Sequence, residues 1–363
     1  NAGASGVSGT VGIFTGTSGL GVSGAIALCT GDARCGAGGD ISMSVGSGDK
    51  GDGGDVIMRA GDSAAVSRSG GSVRIHAGDG LHKSPTNGGD GGDISLIAGE
   101  AFGKGKKDTG GTIHLQGGTA TQGSGGDITL RTGFGKKTNS GSVGIASANA
   151  GSAGKSGDVV LSTGKSTSGS SGQFSVNTGR ARGGQGGAIS LAVGKGNKGD
   201  GGLLSLTAGD TTAEDCVGGD VSISAGSGSS SSTTGGGLGG DVLISAGTAL
   251  GQANNDAGGS VRLFGGSASV GSGGDVVLKS GVSTVGSSGT VSVTTADSGL
   301  SGISGDVTIK TGVSANDNSG SFVVETGRSL AGSGGDIKLA VGSGTAGAGG
   351  NIGITAGSTS DDD

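Results

Sequence analysis

The sequence predicts an all-β chain, a β-solenoid (parallel β-helix), from three observations: its glycine content, one short recurring motif, and the spacing of that motif. Of 363 residues 94 are Gly, with one Pro, six Phe and neither Tyr nor Trp, against about 7% Gly in ordinary globular chains. Collagen is excluded, because Gly does not recur at every third residue and Pro is almost absent. Simple disorder fits poorly, since 31% of residues are apolar, only 14% are charged, and the apolar ones are regularly placed. Without Tyr or Trp, the aromatic platforms that usually recognise sugars and bases are missing, and Phe alone remains for that role.

The motif occurs 22 times, as in Gly38 to Gly46 (GGDISMSVG), Gly125 to Gly133 (GGDITLRTG) and Gly334 to Gly342 (GGDIKLAVG). A pair of small residues precedes a variable residue, often Asp, and then a period-2 alternation of apolar side chains that a small residue and usually Gly bring to an end. That is the pattern of a half-buried strand, and no helical spacing competes with it. Ile41, Met43 and Val45 are the expected inward positions of one copy, and Val221, Ile223 and Ala225 those of another.

The second small residue of each motif (Gly9, Gly24, Gly39, Gly54, Gly71 and onward) serves as a marker. Successive markers are 15, 15, 15, 17, 21, 19, 15, 15 and 16 residues apart, and the series then repeats. Nine motifs of about 15 residues therefore make a super-repeat of 148 residues, with Gly9, Gly157 and Gly305 in equivalent places. The expected organisation is one continuous solenoid over 1–363, with super-repeats at 8–155, 156–303 and, in part, 304–357, and an acidic tail at 358–363. Three consecutive linkers are long: Asp62 to Ser69, Asp79 to Asp90 and Glu100 to Thr109, matched by Asp210 to Val217, Ser227 to Leu238 and Thr248 to Ala257. Their lengths are kept while their sequences diverge, which suggests a geometric bump more than a chemical site.

Units this short cannot bury an apolar face alone, so neighbours are expected to stack. Asp93, Asp127 and Asp158 fall in alternate motifs with Thr112 and Ser142 between them. Alternation avoids stacking carboxylates if sequence neighbours are spatial neighbours. This favours one motif per rung with a thin Gly/Ser return wall, and 22 rungs would give a rod of about 105 Å. Two-sided rungs, three-sided rungs (about 35 Å) and an antiparallel meander are the alternatives.

Motifs such as Gly218-Gly219-Asp220-Val221-Ser222-Ile223-Ser224-Ala225-Gly226 resemble the repeats of filamentous-haemagglutinin-type extracellular adhesins and fibres. The resemblance implies a parallel β-helix and an elongated role outside the cell. The first motif starts at Ser8 and the last ends at Gly357, with no room for a cap, so the expectation is a segment of a longer chain or ends covered by other subunits. Both point to a filament, with the chain itself as the main partner, end to end or laterally.

Charge is uneven: residues 1–99 carry −3, residues 100–200 carry +7 and residues 201–363 carry −10. Acidic ends around a basic middle favour staggered association, although solvated surface charge is the blander account. Lys104, Lys106 and Lys107 with Lys136 and Lys137 suit an acidic polysaccharide or glycan, whereas the lack of interleaved aromatics speaks against nucleic acid. No apolar run reaches membrane-spanning length and no signal peptide precedes the repeats, which fits a mature extracellular or cell-surface chain. Cys29 and Cys35 lie six apart and are a disulfide candidate in an oxidising compartment, which leaves Cys216 for a link between chains or for burial.

Among ligands, calcium is the one cofactor worth weighing. Asp49, Asp52 and Asp55, and Asp90 and Asp93, set carboxylates among glycines as Gly/Asp calcium rolls do; the competing account is that Asp starts strands and accepts loop N–H bonds. A lattice-matching ice face is not encoded, because the outward rank Gly12, Ala27, Ser42, Ile57, Arg74, Ser95, His114 has no repeated Thr pair. Catalysis is not expected: His76, His82 and His114 have no nucleophile, carboxylate pair or metal-ligand spacing around them, and the Gly-x-Gly runs open no helix. The expected function is a structural protein that forms or stiffens a filament or surface appendage, with O-linked glycans compatible with its Ser/Thr-rich surface. The competing class is an adhesin whose long loops contact polysaccharide or a host surface.

Overall fold

The computed structural model describes residues 8–253 and 255–358; residues 359–363 of the expected acidic tail lie outside them. The chain groups into two units, Asn1–Val176 and Asn177–Asp363. In both, each motif is an extended segment, and bends and turns fall in the linkers.

The period-2 alternation survives in how far each side chain is covered. Ile41 and Ile189 are 55% and 54% exposed, whereas Ile57 and Leu243, which point the opposite way from their segments, are 82% and 89% exposed. The apolar row therefore lies on one face, as the pattern requires.

What the segments do not do is pair. Among the described residues there is no helix and no β-strand, which overturns the expected all-β class, the β-solenoid and parallel β-helix, and the 105 Å rod of stacked rungs. The β-helix implied by the adhesin resemblance falls with them. This is a chain of low regular structure. A ladder needs N–H and C=O groups of neighbouring segments to bond repeatedly along their length. Here the Gly/Ser linkers carry almost no side chain to cover the apolar row, and ordering Gly costs the most backbone entropy.

Order is concentrated at the bases of the loops. In the first unit the marker N–H groups of Gly71, Gly92, Gly111, Gly126 and Gly141 donate to the carbonyls of Gly61, Gly78, Gly99, Gly118 and Gly133, at 2.8–3.1 Å. In the second unit Gly219, Gly240, Gly259, Gly274 and Gly289 donate to Gly209, Gly226, Gly247, Gly266 and Gly281, at 2.8–2.9 Å and, for the last, 3.0 Å. Each of these five loops in a super-repeat is thus pinched shut by one backbone bond between the end of one segment and the start of the next. Most of the half-buried residues among those described sit at these bases, Ala60, Ala77, Ala98, Gly117 and Thr132 in the first unit and Ala208, Ala246 and Ser280 in the second, while Ser84 and Gly135 are half-buried within loops. No apolar side chain among the described residues is fully buried.

Close approach at one base explains a break in the motif. A side chain at Gly117 would overlap the Gly126 carbonyl, and one at Gly265 would overlap that of Gly274, so Gly stands where other motifs carry Thr, Val or Ala. The accessible surface is 36305 Å² for 33.2 kDa, against about 12,600 Å² for a compact monomer of that mass and about 48,000 Å² for its unfolded chain. Only about a quarter of the unfolded surface is removed.

Candidate functional site

The residues singled out from the sequence are held on exposed linkers and segment ends. Asp49 and Asp52 flank Gly51, which has φ +91°, and Asp55 follows the next marker. The same left-handed backbone recurs at Gly199 (+74°) and Gly347 (+87°), where the positions equivalent to Asp49, Asp52 and Asp55 are Asn197, Asp200 and Leu203, then Thr345, Ala348 and Asn351. The turn therefore keeps its shape with or without the carboxylates, because Gly carries it. Asp90 and Asp93 bracket Gly91 and Gly92, and the N–H of Gly92 donates to Gly78 O at 2.9 Å. No three His, Cys, Asp or Glu side chains come together to hold a metal among the described residues.

Cys29, Cys35 and Cys216 are exposed free thiols. Cys29 immediately precedes Thr30, whose hydroxyl donates to Gly39 O at 3.1 Å and so closes the loop that contains Cys35. Cys216 follows Asp215, whose φ is 55°. Two of the three histidines make local bonds: His82 Nδ1 accepts the Ser84 N–H at 3.3 Å, and His114 Nε2 lies 3.2 Å from Gln116 Oε1. No pocket is enclosed among the described residues, and they contain no helix long and apolar enough to cross a membrane.

The structure also brings out turn residues that the divergent loop sequences concealed. In the third long loop Asp108 Oδ2 accepts the Gly105 N–H at 2.8 Å. Its equivalent, Asp256, accepts the Ala253 N–H at 2.9 Å. In the first long loop Ser63 Oγ and Thr211 Oγ1 accept the N–H groups of Ala65 and Ala213. There, too, Ser67 and Asp215 share a left-handed φ of 58° and 55°, an uncommon conformation outside Gly. In the second, Ser84 and Ser232 accept the N–H groups of Thr86 and Thr234, each at 3.4 Å. Small polar side chains bonding to backbone two or three residues away are ordinary turn chemistry. The signal in the sequence is the recurrence of a hydroxyl or Asp at a 148-residue offset inside loops that otherwise differ.

Lys104, Lys106 and Lys107 belong to the loop organised by Asp108, and Lys136 and Lys137 to the loop closed by Gly141 N–H on Gly133 O at 3.1 Å. Apart from these loops, the largest chemical feature is the apolar row itself. Its β-branched first position keeps more than half of its surface open in motif after motif: 54% for Ile94, 55% for Ile128, 56% for Val221, 55% for Val307. Such an extent of open apolar surface marks a binding face on an ordinary soluble protein. The chain matches no family model, no curated protein and no solved structure in the comparisons.

Proposed function

We propose that this chain is an extracellular structural protein that forms or stiffens a filament or cell-surface appendage by associating with itself, without a catalytic role. The observation that carries the reading is the apolar face repeated along the chain and left more than half open. Covering it gains roughly 25 cal/mol for each Å² of apolar surface removed from water. The chain's own Gly/Ser linkers do not supply that cover, and a second apolar row does. Sedimentation velocity over a range of concentrations, with electron microscopy of the same samples, tests the reading. Growth into long regular filaments is expected; discrete monomers at every concentration would sink it.

A second reading rests on the loops. The three long loops keep the same turn bonds in both full super-repeats, which suits an adhesin presenting them to polysaccharide or a host surface. Its test is saturable binding of an acidic polysaccharide that is lost when Lys104, Lys106 and Lys107 are changed to Gln.

A further inference from the structure

Each full super-repeat folds part of its length away behind its loop bases. The closures Gly61–Gly71, Gly78–Gly92, Gly99–Gly111, Gly118–Gly126 and Gly133–Gly141 enclose 10, 14, 12, 8 and 8 residue steps, 52 of the 148, and the equivalents from Gly209–Gly219 to Gly281–Gly289 enclose the same numbers. Pulled straight, those 52 steps would add roughly 150 Å to each super-repeat, at about 3.4 Å per residue less about 5 Å for each base already spanned.

What guards this reserve at each base is one backbone bond of 2.8–3.1 Å. No segment pairing backs it up, because the described residues form no strand, and no fully buried apolar side chain among them does so either. A single exposed bond is a weak latch. In a sheet, the ladder bonds of a segment hold one another in place; here each base is loaded alone, so one loop can open while the next stays shut. Length hardly hinders reclosing, since the entropy of closing a loop grows only with the logarithm of its residue count. The loop sequences diverge between the two super-repeats although these counts are held. A reserve of length depends on the number of residues and is indifferent to their side chains.

We infer that the chain is extensible: under tension the pinched loops open one at a time and give up their length, and they reclose when the load is removed. This goes beyond the structural role proposed above by naming what the chain does under load. It is a property of a single copy and stands whether or not copies associate.

Disulfide locks across the second long loop of each super-repeat test it in the full chain, with Cys29, Cys35 and Cys216 changed to Ser. A Cβ at Gly92 would lie 3.6 Å from that of Ala77, and one at Gly240 3.7 Å from that of Ala225, with no contact nearer than 3.5 Å at either. A disulfide needs about 3.5 to 4.5 Å between these atoms, so Ala77→Cys with Gly92→Cys and Ala225→Cys with Gly240→Cys bridge closed bases without displacing them. Without load, the effective concentration of each thiol pair, titrated against glutathione, is expected to be about tenfold or more higher in buffer than in concentrated urea. In optical tweezers the reduced chain is expected to lengthen with no single release above about 45 Å, the length of one long loop, and to retrace its path on relaxation. The oxidised chain is expected to follow the same trace at the lowest loads and to stop about 90 Å short at full extension. Equal effective concentrations in buffer and urea would show the loops open at rest. A release spanning several loops would show one cooperative unit, and a failure to retrace would remove the reclosing. Each of these results overturns the inference, and a chain that stays monomeric in sedimentation sinks only the self-association reading.

Discussion

The two full super-repeats, 8–155 and 156–303, share their loop closures and turn ties but not their charge. Five loop-closing bonds recur between them residue for residue, from Gly71 on Gly61 and Gly219 on Gly209 to Gly141 on Gly133 and Gly289 on Gly281. The left-handed residues recur as well, Ser67 with Asp215 and Gly51 with Gly199. Their charges do not: the first holds 13 basic and 12 acidic residues, the second 7 and 10. A loop of this kind is specified by its length, by the Gly at its base and by one polar side chain that ties its turn. Everything else in it is free to change, and what changed most is charge.

The comparison breaks most directly at the tightest base. Gly117→Val should force the Gly126 N–H off the Gly118 carbonyl, now 2.8 Å away, and Gly265→Val should do the same to Gly274. Amide hydrogen exchange at Gly126 and Gly274 is expected to accelerate by about tenfold or more, as for any local opening that loses its closing bond. Equal acceleration in both copies sharpens the comparison; protection that persists at either site would break it.

A smaller effect is expected at the left-handed glycines. Gly51→Ala, Gly199→Ala and Gly347→Ala each place a Cβ in a conformation costing about 1 to 2 kcal/mol. Protease sensitivity of the three linkers should rise to a similar extent, and added calcium should not restore the first of them selectively. Selective rescue at Gly51, where Asp49, Asp52 and Asp55 cluster in sequence, would show that the carboxylates hold the turn through a cation.

Smaller again is the tie in the third long loop. Asp108→Ala and Asp256→Ala remove one side-chain acceptor each, a loss of about 0.5 to 1.5 kcal/mol, read as faster exchange at Gly105 and Ala253. Asp108→Asn should retain most of the protection, since an amide oxygen still accepts. The smallest effect belongs to the Arg59–Asp62 ion pair. Its side chains are 75% and 82% exposed, and the equivalent of Arg59 is Thr207. Arg59→Thr is expected to leave exchange in that loop unchanged, because exposed pairs of this kind contribute little and are screened by salt.

Much of this architecture was legible before any coordinates. The loop-closing bonds and the left-handed residues recur at the 148-residue spacing counted from the sequence. Alternation is a local property, set by the two-residue repeat of an extended chain, so Ile41 and Ile57 are told apart by counting. The turn residues were legible too, but only at long range: Asp108 looks unremarked in its own loop and becomes informative beside Asp256.

What sequence determined by itself, then, is period, face and length of each loop, because each follows from the chain's local geometry. What only the tertiary structure decided is that, among the described residues, the extended segments do not join into a sheet. Pairing depends on whether a neighbour brings backbone groups and side chains to the same place at once, and an alternating pattern is equally compatible with a row that has a partner and a row that lacks one. The structure resolves that ambiguity in favour of segments pinched together at Gly61 and Gly71 and their equivalents, with the apolar face still open.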